Sequence, residues 1–88
     1  MRIILSPRAE KTLRKLPKID QIVIARKIRL LPEIKASQQE EKLKGFQNIY
    51  RVRLGDYRIV YRRLLKEIFI VLIGHRKDIY DLLRQLFR

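Results

Sequence analysis

The chain has 88 residues and no cysteine, with 22 Lys and Arg against 9 Asp and Glu, a formal charge of +13 at pH 7. Its length allows one domain, residues 1–88, with one modest core, and an apolar fraction of 47% argues for a folded globule rather than a disordered basic tail. Such a charge calls for a polyanionic partner (nucleic acid, an anionic membrane or an acidic protein), whereas a lone histidine and scattered carboxylates leave neither a zinc site nor a two-metal site enough ligands, so no metal or other cofactor is expected.

The longest wholly apolar run, Ile68 to Ile73, falls far short of the roughly 20 residues a membrane span needs. Met1-Arg2-Ile3-Ile4-Leu5 runs at once into Ser6-Pro7 and charged residues, unlike a signal peptide. Without cysteines there is no disulfide framework to support an extracellular role. A cytoplasmic location with no membrane partner is the expectation.

In chain order, Ile3 to Leu5 reads as a short strand. Ser6 then reads as an N-cap, with Pro7 at the first helical position. Ala9, Leu13 and Leu16 share one helical face, and Pro17 stops that helix. A second helix is predicted from Lys18 to Leu31, ended by Pro32. Its broad apolar set suits a helix packed on both a sheet and a partner helix. Residues 33–48 are polar and read as a surface connection. Three strands follow at about 49–54, 57–63 and 67–73, the last a fully apolar run expected at the sheet centre and broken by Gly74. Ile79, Leu82, Leu83, Leu86 and Phe87 keep the spacing of an amphipathic terminal helix, most simply packed on the sheet. The order β-α-α-β-β-β-α predicts an α+β domain with a mostly antiparallel four-stranded sheet. The N-terminal helical hairpin would lie on one face, with a C-terminal helix to follow.

Gly55-Asp56 fits a two-residue turn with Gly first, which pairs Leu54 with Tyr57, Arg53 with Arg58, Val52 with Ile59, Arg51 with Val60 and Tyr50 with Tyr61. Directly opposed residues share a face. Tyr50, Val52, Leu54, Tyr57, Ile59 and Tyr61 are then core, and the other face carries Arg51, Arg53 and Arg58, with Arg62 further along. Opposed like charges destabilise a strand pair, so Arg53 against Arg58 is a poor choice for stability alone. Arg offers a rigid fork of donors suited to phosphate. His75 and Arg76, at the end of the antiparallel return strand, are expected to emerge beside Arg53 and Arg58, with Tyr80 following in the first turn of the last helix.

These segments resemble the RelE family of toxins, within the RelE/ParE superfamily of toxin–antitoxin systems. The likeness follows the element order along almost the whole chain. It is sharpest in Lys42-Leu43-Lys44-Gly45, Tyr50-Arg51-Val52-Arg53-Leu54, Gly55-Asp56-Tyr57-Arg58-Ile59-Val60-Tyr61 and Gly74-His75-Arg76-Lys77-Asp78-Ile79-Tyr80. The resemblance implies a ribosome-dependent endoribonuclease that cuts mRNA in the A site. The 2′-OH attacks the adjacent phosphate and leaves a 2′,3′-cyclic phosphate. It also implies a RelB-like antitoxin that wraps the toxin and blocks the basic face. Carried over by motif, the active positions are Arg51, Arg53, Arg58, Arg76 and Tyr80, joined by His75, with Lys42, Lys44, Arg62 and Lys77 as further RNA-binding candidates.

Familiar members carry Lys where this chain has Arg51 and Arg53. Arg, with a pKa above about 12, stabilises phosphate but cannot act as base. The base is therefore expected to be His75 or Tyr80, with His75 favoured. Three other readings remain open: a ParE-like toxin that inhibits DNA gyrase by protein contact, a non-catalytic basic RNA- or ribosome-binding protein, and a degenerate toxin that keeps antitoxin binding but has lost activity.

Overall fold

The structure is a computed structural model that describes residues 1–34 and 40–86. Its elements are β1 (Arg2–Leu5), α1 (Pro7–Lys15), α2 (Lys18–Leu30), a 3₁₀ turn (Leu31–Glu33), β2 (Glu40–Lys42), β3 (Ile49–Leu54), β4 (Tyr57–Arg63), β5 (Glu67–His75) and α3 (Ile79–Leu86). The sheet order is β1-β5-β4-β3-β2, with β1 parallel to β5 and every other pair antiparallel. The α+β class holds, with five strands in place of the expected four. Among the described residues no helix is long and apolar enough to cross a membrane.

Local chemistry accounts for the first helices. The Ser6 hydroxyl accepts the Ala9 N–H at 3.0 Å, and Pro7 opens α1 with its φ already set. Pro17 keeps α1 and α2 apart, while the Gln21 amide donates to the Leu16 carbonyl at 2.7 Å and the Arg14 carbonyl at 3.1 Å, satisfying the end of α1. Ala9, Ile24, Ile28 and Leu31 pack under the sheet against Val52, Ile59, Tyr61, Ile68, Ile70 and Ile73. On the opposite face Ile79 and Leu83 of α3 cover Ile49, Val60, Val71 and Leu72. Leu86, expected in the core, is 43% exposed, and Phe87 lies outside the described residues.

Central strand β5 serves both cores because its alternation is broken once. Tyr61 pairs with Ile70 but Val60 pairs with Leu72, so Val71 is an extra residue, a β-bulge. Ile68 and Ile70 point to the α1/α2 side, Val71 and Leu72 both turn to the α3 side, and Ile73 returns. Ser6 holds this point: its hydroxyl donates to the Val71 carbonyl at 2.7 Å and its N–H to the Ile70 carbonyl at 2.8 Å. Gly74 does not break the strand, which continues to His75. Helix α3 lies close over it: a Cβ there would meet Ile79 Cδ1 at 3.0 Å.

The added strand β2 lies in the segment expected to be a connection; residues 35–39 of that segment lie outside the described ones. Glu40-Glu41-Lys42 lacks any apolar alternation, so hydrophobic patterning misses it. Glu40 turns to the helix side, where its buried carboxylate accepts from the Tyr61 hydroxyl and from Arg63 Nε and Nη2 at 3.1 and 2.8 Å. The same Arg63 donates to the carbonyls of Leu31 and Ile34 at 3.1 and 3.3 Å, tying the end of the helical hairpin to the sheet. Glu41 turns the other way.

Two outcomes follow. Ser6→Ala removes a cap and the partner of a buried carbonyl, and should cost about 1–3 kcal/mol in urea unfolding, with an unchanged slope. Burial and the hydrogen bond to Glu40 raise the Tyr61 phenol above its ordinary value of 10.0. A raised folded-state value means that this contribution is intact below about pH 10 and fades as pH climbs through the folded value. Unfolding midpoints of the wild type should therefore fall more steeply above about pH 10 than those of Tyr61→Phe; parallel curves would show that Tyr61 carries no such coupling.

Candidate active site

The hairpin takes the predicted register in all five pairs, from Leu54↔Tyr57 to Tyr50↔Tyr61. Gly55 adopts φ 59°, whereas Asp56 is not left-handed, the pattern of a type II′ turn. Arg51, Arg53 and Arg58 consequently share the α3 side of the sheet. Desolvation, then Arg53, Arg51 and Arg76, push the Arg58 guanidinium below its ordinary value, so four arginines sit within electrostatic reach of one another. Arg58 folds back over the turn and donates to the carbonyls of Gly55 and Tyr57 at 3.0 and 2.9 Å. Arg76 is moored to the same turn, its N–H on the Asp56 carbonyl at 2.8 Å and its Nε 3.7 Å from the Asp56 carboxylate.

Arg51 is the unusual member. It is only 6% exposed, stands 5.6 Å from the Tyr80 ring centre, and donates through Nη2 to Glu41. Its buried Nε has no hydrogen-bond partner among the described residues. Removing a guanidinium from water costs several kcal/mol unless every donor is met, so this arginine is not placed for stability. Its guanidinium lies beneath the Tyr80 ring, with the like charges of Arg53 and Arg58 on the same face of the sheet. Ile79, which opens α3, sits close over Gly74, and the next residue, Tyr80, is 40% exposed with its ring over Arg51.

The expectation for His75 needs correcting. His75 pairs with Tyr57, on the α1/α2 side of the sheet, and lines a groove there with Asp20, Val23 and Leu54. The bulge at Val71 is the reason. A one-residue insertion inverts every side chain beyond it, and without it His75 would share the face of Arg58. Its ring instead packs edge-on to Tyr57 at 6.3 Å, and its Nδ1 accepts the Lys77 N–H at 3.2 Å.

The four further candidates are dispersed. Lys42 pairs with Tyr50 and so faces the helix side of the edge strand, away from Arg51. Lys44 is exposed in the turn after β2. Arg62 pairs with Ile49 on the α3 side, but four residues from Arg58, about 13 Å along the strand, with Val60 and its apolar cluster between them. Lys77 is exposed in the turn leading to α3. Glu41 went unforeseen in the sequence. It lies on the arginine face because Glu41 pairs with Arg51, and only the presence of β2 puts it there. Its one sequence signal was the Glu40-Glu41 pair itself, which gave no hint of which residue faces which side.

With this geometry in hand, relatives are informative. The sequence model of the family described as "ParE toxin of type II toxin-antitoxin system, parDE" matches residues 3–80. A curated relative, Toxin RelE3 of Methanocaldococcus jannaschii, is 44% identical over 50 residues, covering 47% of either chain, so the match spans about half of that relative's length. The crystal structure of the archaeal RelE–RelB complex from Pyrococcus horikoshii superposes with a TM-score of 0.71 at 28% identity, covering 85% of this chain and 93% of that one. The isolated E. coli RelE toxin gives 0.70 at 22% identity over 99% and 98%, a likeness of fold. The chain belongs to the RelE toxins, within the ParE-type toxin family of type II toxin–antitoxin systems.

Proposed function

We propose that this toxin is a ribosome-dependent mRNA endoribonuclease that cleaves in the A site by 2′-OH attack and so blocks translation. The observation that carries this reading is the buried Arg51 with its unpartnered Nε, under Tyr80 and beside Arg53, Arg58 and Arg76. Four fixed cations suit the charge that gathers on the non-bridging oxygens as the 2′-oxygen bonds to phosphorus. Lys77 beside this cluster, and Lys44 and Arg62 at its far end, would hold the RNA on either side. Lys42, facing away, is left out.

Proton transfer needs an acceptor and a donor, and two groups on this face supply them. The Glu41 carboxylate, bonded to Arg51, accepts the 2′-OH proton. The Tyr80 phenol donates one to the departing 5′-oxygen or stacks on a base to hold the nucleotide. His75, facing the other way, takes no part. In keeping with the RelE–RelB complexes of relatives, the regulator would be a RelB-like antitoxin. The family's ParE description supports one other reading, a gyrase inhibitor acting by protein contact.

On programmed ribosomes in single turnover, Glu41→Gln and Arg58→Ala should each slow cleavage by about 10²–10⁴-fold, while His75→Ala stays within about twofold of the wild type. The product should carry a 2′,3′-cyclic phosphate. Loss of activity in His75→Ala, with its folding intact, would return the base to that histidine. No cleavage by the wild type, together with inhibition of gyrase supercoiling in a parallel assay, would favour the ParE-like reading.

A further inference from the structure

At the far end of the arginine face, the turn from β2 to β3 is folded around a cleft. Gly45 and Asn48 both take left-handed backbone, at φ 85° and 60°. Asparagine is one of the few residues beside glycine that visit this region readily. The turn is tied down at its C-terminal end: the Leu43 N–H donates to the Ile49 carbonyl at 2.9 Å, and the Asn48 carbonyl accepts the Arg63 N–H at 3.0 Å. The cleft has a volume of about 470 Å³ and is walled by Phe46, Gln47, Asn48, Ile49, Arg62 and Leu64. Ile49 is buried, and Phe46 is half-buried, packed on the cluster beneath α3 while also lining the cleft. Gln47, Asn48 and Arg62 are exposed. Core packing accounts for Phe46 and Ile49. It gives no reason for two amides and a guanidinium to surround a concavity. Alternation along β3 and β4 puts Ile49 and Arg62 on the same side of the sheet as Arg51, Arg53 and Arg58. Cleft and cluster therefore open on one face, about 13 Å apart along the strand.

We infer that this cleft receives an unpaired nucleobase of the RNA strand whose phosphate lies in the arginine cluster, a few nucleotides from the scissile bond. The inference deepens the ribonuclease reading above and rests on it. Single-stranded RNA is recognised by laying splayed bases on aromatic or guanidinium planes and bonding their exposed edges. Phe46 and Arg62 offer such planes. The amides of Gln47 and Asn48 each carry donors and an acceptor, the combination that pairs with a base edge. Arg62 is the one cation in the wall among the described residues, so the cleft suits a flat heteroaromatic ring better than a second phosphate or the carboxylates of an acidic peptide. The arginine cluster has the opposite make-up, charge with few neutral readers. Phosphate contacts position a strand and base contacts specify it. The cluster would then hold the bond to be cut, and the cleft would supply a preference for sequence at a position removed from it.

The full chain is tested on ribosomes programmed with mRNA whose A-site codon is 2′-O-methylated, which removes the attacking hydroxyl. 5-Iodouridine, which photocrosslinks to aromatic rings, is placed at one position at a time, and the captured residue is identified by mass spectrometry. A crosslink to Phe46 is expected from one position within a few nucleotides of the scissile bond. The double variant Gln47→Ala/Arg62→Ala, at exposed sites, should lower its yield at least about fivefold with an unchanged unfolding midpoint. On cleavable mRNA, an abasic residue at that position should slow the wild type by about 10-fold and leave the already reduced rate of the double variant where it is. Cleavage by the wild type with no crosslink to Phe46 from any position overturns the base site and leaves the ribonuclease standing. Equal slowing of both proteins by the abasic residue does the same. If the wild type never cleaves, the ribonuclease reading fails, and the cleft is judged on free 2′-O-methyl oligonucleotides carrying 5-iodouridine. A Phe46 crosslink there that the double variant loses upholds the cleft as an RNA site; its absence removes both.

Discussion

The extra residue at Val71 is the constraint on which the rest of the molecule depends. A strand with strict alternation feeds two faces equally, but β5 must complete a helix-covered core below and a smaller one above while ending beside the arginine hairpin. One inserted residue turns Val71 and Leu72 to the same side and reverses the order beyond them. Gly74 is thereby put under α3 and His75 under α2. The cost of a bulge is a carbonyl dropped from the ladder, and Ser6 meets it with the hydroxyl that also caps α1. One side chain thus couples the start of the helical hairpin to the parity of the central strand.

Two neighbouring carboxylates repeat the lesson at the sheet's edge. Glu40 faces the helices and is spent on structure, buried against Tyr61 and Arg63. Glu41 faces the arginines and is more than half exposed, with its partner Arg51 buried. Exposed ion pairs contribute about 0–1 kcal/mol, too little to offset the burial of a guanidinium with an open donor. Stability therefore explains the first pair and not the second. The proposed active site rests on that imbalance.

The sheet separates two kinds of surface. The α3 side gathers Arg51, Arg53, Arg58, Arg76 and Tyr80 in a cationic, hydrogen-bond-rich patch. The α2 side presents aliphatic residues and a groove walled by Asp20 and Tyr57.

Local chemistry in the sequence determined much of this. Ser6-Pro7 and Pro17 set the helical hairpin, Gly55-Asp56 set the register of β3 against β4, and that register alone collected Arg51, Arg53 and Arg58 on one face. These features are local: a cap, a turn and a period of two act over a few residues and can be read from them. The fifth strand, the side of His75 and the place of Glu41 opposite Arg51 were decided only in three dimensions. A bulge leaves no mark in an unbroken run of Ile, Phe, Val and Leu, and in the strand Glu-Glu-Lys the two carboxylates meet two arginines distant in sequence, one on each face. The arginine face and Tyr80 were therefore legible, but the place of Glu41 beside them was not. Which side of a sheet a residue ends on depends on every insertion before it, and the insertion here is held by a serine 65 positions away.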